Sequence, residues 1–159
     1  MVIPGVSCDY FENQAMPIEP QEYANYLNLL LKDFISILKN EWGDNLTSVI
    51  VYGISRKRIS HVQSDVDLLI ICKNLPHSKW ERYDLIMKTI AKLEPKVEEL
   101  YNQIGIHVYI SPILKTQKEA DQINKAYFDL VKEGEILLDN HDFFKKIIKT
   151  IESISKLLP

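Results

Sequence analysis

Asp65 and Asp67, one residue apart, open an apolar run, Val66–Asp67–Leu68–Leu69–Ile70–Ile71. Its branched aliphatic residues predict a buried strand. Residues i and i+2 of a strand leave the same face, so the two carboxylates project side by side. Like charges held that close repel, and one is pushed toward its protonated form. A divalent cation removes the conflict. Mg²⁺ takes carboxylate oxygens at about 2.0–2.1 Å and keeps water or phosphate oxygens in its other positions; Mn²⁺ suits the same donors. The pair is thus a candidate seat for a metal-bound nucleotide. The alternative is two aspartates at the solvated end of a strand, bonded to nearby backbone N–H groups.

The elements around the pair sharpen the reading. A first apolar strand, Val49–Ile50–Val51–Tyr52, stops at Gly53. A basic and polar loop follows, with Arg56, Lys57 and Arg58, before Ser64–Asp65–Val66–Asp67–Leu68–Leu69. This strand, glycine turn and D-x-D strand resembles the signature of the DNA polymerase β-like nucleotidyltransferase superfamily. The likeness is strongest to its small stand-alone members, the minimal nucleotidyltransferases. Gly53 and Asp65 stand at the family's usual interval, and SDVDLLI is a close match. The first half departs: Ile54 follows the glycine directly, and the serine comes one place later as Ser55.

The resemblance implies a chemistry that needs these parts. Nucleotidyl transfer is an in-line displacement at the α-phosphorus, which two metals about 3.5–4 Å apart can clamp. Catalysis is mostly positioning and charge stabilisation. Asp65 and Asp67 would hold the metal and the nucleoside triphosphate it carries. Gly53, Ser55, Arg56 and Ser64 would form the nucleotide-binding set. Glycine lets backbone approach the phosphates, and N–H groups at a following helix start can hold their oxygens. The basic loop side chains would offset phosphate charge, unless they are an ordinary solvated turn.

The family's third carboxylate normally lies on a strand beside the D-x-D strand. The matching stretch is Ile106–His107–Val108–Tyr109–Ile110–Ser111, restarted by Gly105 and predicted to stop at Pro112. Its outward candidates are His107, Tyr109 and Ser111, and none is acidic. His107 is the candidate base there, though a lone strand histidine is more often a packed or surface residue and Mg²⁺ prefers oxygen. Glu133, Glu135 and Asp139 read as edge and turn charges, with one of them a distant candidate for the missing acid.

The rest of the 159 residues must position this site. The length predicts one domain, 1–159. Residues 1–20, which carry Pro4, Gly5, Pro17 and Pro20, predict an irregular arm. A helix is predicted from Pro20 or Gln21 to Trp42, stopped by Gly43. A second stretch, 79–103, carries an apolar stripe of Trp80, Tyr83, Ile86, Met87, Ile90, Leu93, Val97, Leu100 and Tyr101, and Pro95 breaks it into two helices. Short helices at 117–123 and 125–132, a strand at 135–139 and a last amphipathic helix at about 142–158 complete the chain. The expected fold is α/β (α+β): a small mixed β-sheet packed against helices, nucleotidyltransferase-like.

Composition excludes several classes. The net charge of −3 gives no global case for nucleic-acid binding. No apolar run reaches the roughly 18 residues of a membrane span, and the N-terminus lacks the pattern of a secretory signal. Cys8 and Cys72 read as reduced thiols. The chain is expected to be cytoplasmic. It is short for a protein carrying its own acceptor-binding domain, so the acceptor is expected to be held by a partner or by a second subunit of a homodimer, or to be a protein itself. By resemblance, the partner class is a small helical protein of the HEPN type, in some systems as a toxin–antitoxin pair. A second reading, drawn from the displaced serine and absent third acid, is a catalytically degenerate member that serves as an interaction or antitoxin subunit.

Overall fold

The structure is a computed structural model; it describes residues 19–52, 63–122 and 134–156. Helix α1 spans Pro20–Trp42, as its apolar spacing predicts. Proline opens it, where a missing N–H costs nothing, and Gly43 at φ +48° ends it. Tyr23, Leu27, Leu30, Leu31, Phe34 and Leu38 form its buried stripe. A 3₁₀ turn, Gly43–Asn45, leads into strand β1, Leu46–Tyr52. Strand β2 covers Gln63–Cys72, so pairing extends outward past both aspartates.

Helices α2 (Lys79–Ala91) and α3 (Glu94–Ile104) are divided just ahead of Pro95, which falls in the first turn of α3. Gly105, at φ +71°, closes α3 in the left-handed conformation that glycine adopts freely. Strand β3 covers His107–Thr116. It runs through Pro112, against the expectation that proline would halt it. β3 is an edge strand, and an edge accepts a residue with no N–H to donate. Thr116 caps the short helix α4, Gln117–Ala120, in a reciprocal capping box with Glu119. Strand β4 is Glu135–Asp139, followed by a 3₁₀ turn, Asn140–Asp142, and helix α5, Phe143–Ser155. Residues 1–18 of the predicted 1–20 arm, and the helix at 125–132, lie outside the described residues.

The sheet order is β3–β2–β1–β4. β1 pairs antiparallel with both β2 and β4, while β2 pairs parallel with β3. A parallel pair needs a long crossover, and α2 and α3 supply it. The sheet is therefore mixed, as expected. Alternation divides β2 between two layers. Val66, Leu68, Ile70 and Cys72 join the core under α1 and α3. Leu69 and Ile71 join a smaller cluster with Ile50 and with Phe144, Ile147 and Ile151 of α5.

One part of the predicted core is wrong. Trp80 is 81% exposed, and Tyr83, Met87 and Tyr101 are exposed as well. Within α2 the buried residues are Ile86 and Thr89. Because α1 and α3 already cover that side of the sheet, α2 lays down only a narrow stripe, and the broad apolar arc read from spacing is not all used. No helix among the described residues is long and apolar enough to cross a membrane.

Candidate active site

The aspartates sit where the α5 layer runs out. Asp65 and Asp67 continue the row of Leu69 and Ile71, on the α5 face of β2. Leu69 and Ile71 are buried, Asp67 is half-buried and Asp65 is exposed. Two Cα atoms two residues apart on a strand are separated by roughly 6.6 Å, so the side chains can reach one cation. One end of the strand is thus locked in apolar packing while the other presents two carboxylates at a rim.

Register fixes their neighbours. Asp67 pairs with Tyr52 of β1 on one flank and with Ser111 of β3 on the other. Asp65 pairs with Tyr109, and Gln63 with His107. Burial, then the charge of Asp65, pushes the Asp67 carboxyl above its ordinary value, while the neighbouring Ser111 hydroxyl pulls it back. Burial and the Asp67 charge also raise the Tyr52 phenol. The repulsion anticipated from the D-x-D spacing is thus present and falls on Asp67, the more buried of the two. Relief of that repulsion favours a cation, and the donors are hard oxygens, which fit Mg²⁺ or Mn²⁺.

The third acid is not on β3. Its ten residues, His107–Thr116, contain no carboxylate, and among the described residues no three His, Cys, Asp or Glu side chains cluster as a metal site. The charges near the chain's end do not fill the role. Glu135 pairs with Val51, whose side chain faces the α1 layer, the face opposite Asp67. Asp139 pairs with Ser48, four residues along β1 from Tyr52, or about 13 Å. There it accepts hydrogen bonds from the Ser48 hydroxyl at 2.6 Å and from the N–H groups of Phe144 and Lys145 at 2.8 and 3.1 Å. It is a strand-to-helix staple. Glu133 lies outside the described residues.

His107 stands four residues along β3 from Ser111, or about 13 Å. Its ring packs on Tyr109, centroids 4.3 Å apart, and lies 6.1 Å from that of Tyr101. Its Nδ1 is buried without a hydrogen-bond partner among the described residues. Gly53, Ser55 and Arg56 lie outside the described residues; of Ser64 the structure gives the strand position, in register with Val108. Two residues that sequence reasoning passed over are beside Asp67: Tyr52, read only as the end of a strand, and Ser111, counted as outward but given no role. Their alternation was visible; the register that brings them to Asp67 was not.

A mixed four-stranded sheet with a carboxylate pair at the rim of one strand is the arrangement expected of the nucleotidyltransferase class. No family model matches the chain. A Methanocaldococcus jannaschii protein that carries the name protein adenylyltransferase is 31% identical over 132 residues, which are 82% of this chain and 84% of that one. Among solved structures, the spectinomycin adenyltransferase AAD(9) of Enterococcus faecialis, with ATP and spectinomycin, superposes with a TM-score of 0.52 at 14% identity, over 74% of this chain and 58% of that one. The toxin–antitoxin complex MntA–HepT gives a TM-score of 0.46 at 16% identity, over 82% and 88%. The chain belongs to the minimal nucleotidyltransferases of the DNA polymerase β-like superfamily. It is a nucleotidyltransferase, with a nucleoside triphosphate as its substrate.

Proposed function

We propose that this protein moves AMP from ATP to a hydroxyl of a protein acceptor, with Asp65 and Asp67 as the metal-holding pair. The observation that carries the reading is the placement of both carboxylates on one face, at the rim of β2, with Asp67 under charge repulsion. The name of the Methanocaldococcus jannaschii relative supports a protein as acceptor. Mg²⁺ or Mn²⁺ bound there would draw charge from the α-phosphate and align the oxygens around it. Gly53, Ser55, Arg56 and Ser64 are assigned to the triphosphate, on the strength of the motif. His107 is assigned to the acceptor side, as a candidate base; its distance along β3 from Ser111 argues against metal ligation.

The absence of an acid on β3 supports a second reading, in which the chain is a degenerate member that acts as a binding or antitoxin subunit for a small helical HEPN-type partner. Homodimerisation is the other route by which a missing group could be supplied.

Calorimetric titration of ATP with Mg²⁺ separates the two. The wild type should bind in a magnesium-dependent way, and Asp65→Ala/Asp67→Ala should not. Transfer of labelled AMP to candidate protein acceptors is the second step. A wild type that binds no triphosphate would leave the partner-binding reading standing.

A further inference from the structure

We propose that Ser111 is a positioning residue for the metal site, resting on the assignment of Asp65 and Asp67 as metal ligands. Its hydroxyl holds one oxygen of Asp67 and leaves the other for the cation.

Three observations point the same way. Ser111 is the direct neighbour of Asp67 in the parallel β2–β3 register, so the two side chains share a face and a level. The Ser111 hydroxyl lies near enough to favour the charged form of the Asp67 carboxyl. On the other flank Tyr52 occupies the matching register position, and burial and the Asp67 charge raise its phenol, so it faces that charge as a neutral group. The remaining outward residues of β3 nearest to it, Tyr109 and Ile113, lie at the levels of Asp65 and Leu69.

Physical reasons favour this division of labour. A metal-ligating carboxylate is generally fixed by a hydrogen bond from a group outside the coordination shell. Asp67 is half-buried beside a like charge, so an unanchored side chain would turn away from Asp65. A serine hydroxyl can orient the carboxylate yet adds no charge. Two carboxylates balance the charge of one divalent cation, so a second cation would need anions brought by the triphosphate itself. The site would therefore favour cation and nucleotide arriving together.

The test uses the full chain with Ser111→Ala and Ser111→Thr, reading Mn²⁺ affinity in the presence of ATP by electron paramagnetic resonance of free Mn²⁺, alongside melting temperature. Ser111→Ala should keep the wild-type melting temperature and weaken Mn²⁺·ATP binding about 10- to 100-fold. Ser111→Thr, which restores a hydroxyl on a residue suited to strands, should bind close to wild type. Wild-type affinity in Ser111→Ala would overturn the proposal while leaving the carboxylate site intact. So would an equal loss in Ser111→Thr, which would make side-chain bulk the cause. A wild type that ignores Mn²⁺·ATP, or an Asp65→Ala/Asp67→Ala variant that binds it unchanged, would instead overturn the site assignment, and this proposal with it.

Discussion

Ser48 and Asp139 face each other across the β1–β4 pairing, and the buried Ser48 hydroxyl donates to the Asp139 carboxylate at 2.6 Å. The same carboxylate receives the first free N–H groups of α5, at Phe144 and Lys145. The formal cap position, Asp142, makes no side-chain cap bond, and it and His141 have φ of +53° and +59°. The chain thus reaches α5 through two left-handed non-glycine residues, a conformation that surrounding contacts must impose. Asp139 is one such contact, beside the Asn140 amide, which donates to the Leu46 carbonyl at 2.9 Å, and α5 in turn covers the sheet up to the edge of the carboxylate site.

Asp139→Ala should therefore destabilise the fold by about 1–3 kcal/mol, through an unsatisfied Ser48 hydroxyl and a lost helix cap. Urea titration would measure it. Asp139→Asn should recover part of the loss, because an amide oxygen can still accept. A loss under about 0.5 kcal/mol in Asp139→Ala would contradict the staple.

Glu119 should give the fold an acid-sensitive component. The Arg82 guanidinium bonds both its oxygens, at 2.8 and 2.9 Å, and with the Thr116 contacts holds its carboxyl at about 2 against an ordinary 4.5. Arg82 also donates Nε–H to the Pro76 carbonyl at 2.6 Å, so the pair ties the β2–α2 turn to α4. A carboxyl depressed on folding contributes stability that is present above the unfolded value and lost as pH falls through the folded one. The difference in urea midpoint between wild type and Glu119→Gln should be constant above about pH 5 and shrink steadily from pH 4.5 toward 2. The pair is partly solvent-screened, so the difference should be on the order of 1 kcal/mol. A gap that does not change with pH would contradict it.

Trp80 and Phe34 should behave oppositely despite similar size. Phe34 is fully buried in the α1 core, and Phe34→Ala should cost about 3–5 kcal/mol. Trp80 is 81% exposed, and Trp80→Ala should change stability by no more than about 0.5 kcal/mol. Thermal melts of both variants decide the point.

Cys72 should be chemically silent in the folded protein. It is fully buried at the end of β2, and burial pushes its thiol up to about 12 although the Arg82 charge acts the other way. The thiolate is the reactive form. At pH 8 iodoacetamide should leave the Cys72 peptide unmodified in native protein and label it fully in guanidinium, as read by mass spectrometry. Native labelling at the unfolded rate would contradict this burial.

Much of the architecture was legible because local rules govern it. The stripe from Tyr23 to Leu38, proline at the start of α1 and glycine at its end specify that helix without reference to the rest of the chain. Pro95 divides α2 from α3 for the same reason, and the Thr116–Glu119 box starts α4. The carboxylate pair was legible too, since a two-residue spacing on a strand places both side chains on one face whatever lies around them. What the residues could not reveal depends on contacts between distant segments. Trp80, Tyr83 and Met87 lie at helical spacing with buried residues, yet α1 and α3 had already taken the sheet surface they would have covered. Asp139 looked like a turn charge until the β1–β4 register set it against Ser48 and the start of α5. Ser111 looked like one polar residue in an alternating row. Only the parallel pairing of β2 with β3, brought about by the helices of the crossover, set its hydroxyl beside Asp67. Side-chain alternation is a property of one strand; register is a property of two, and it is fixed by the packing of the whole domain.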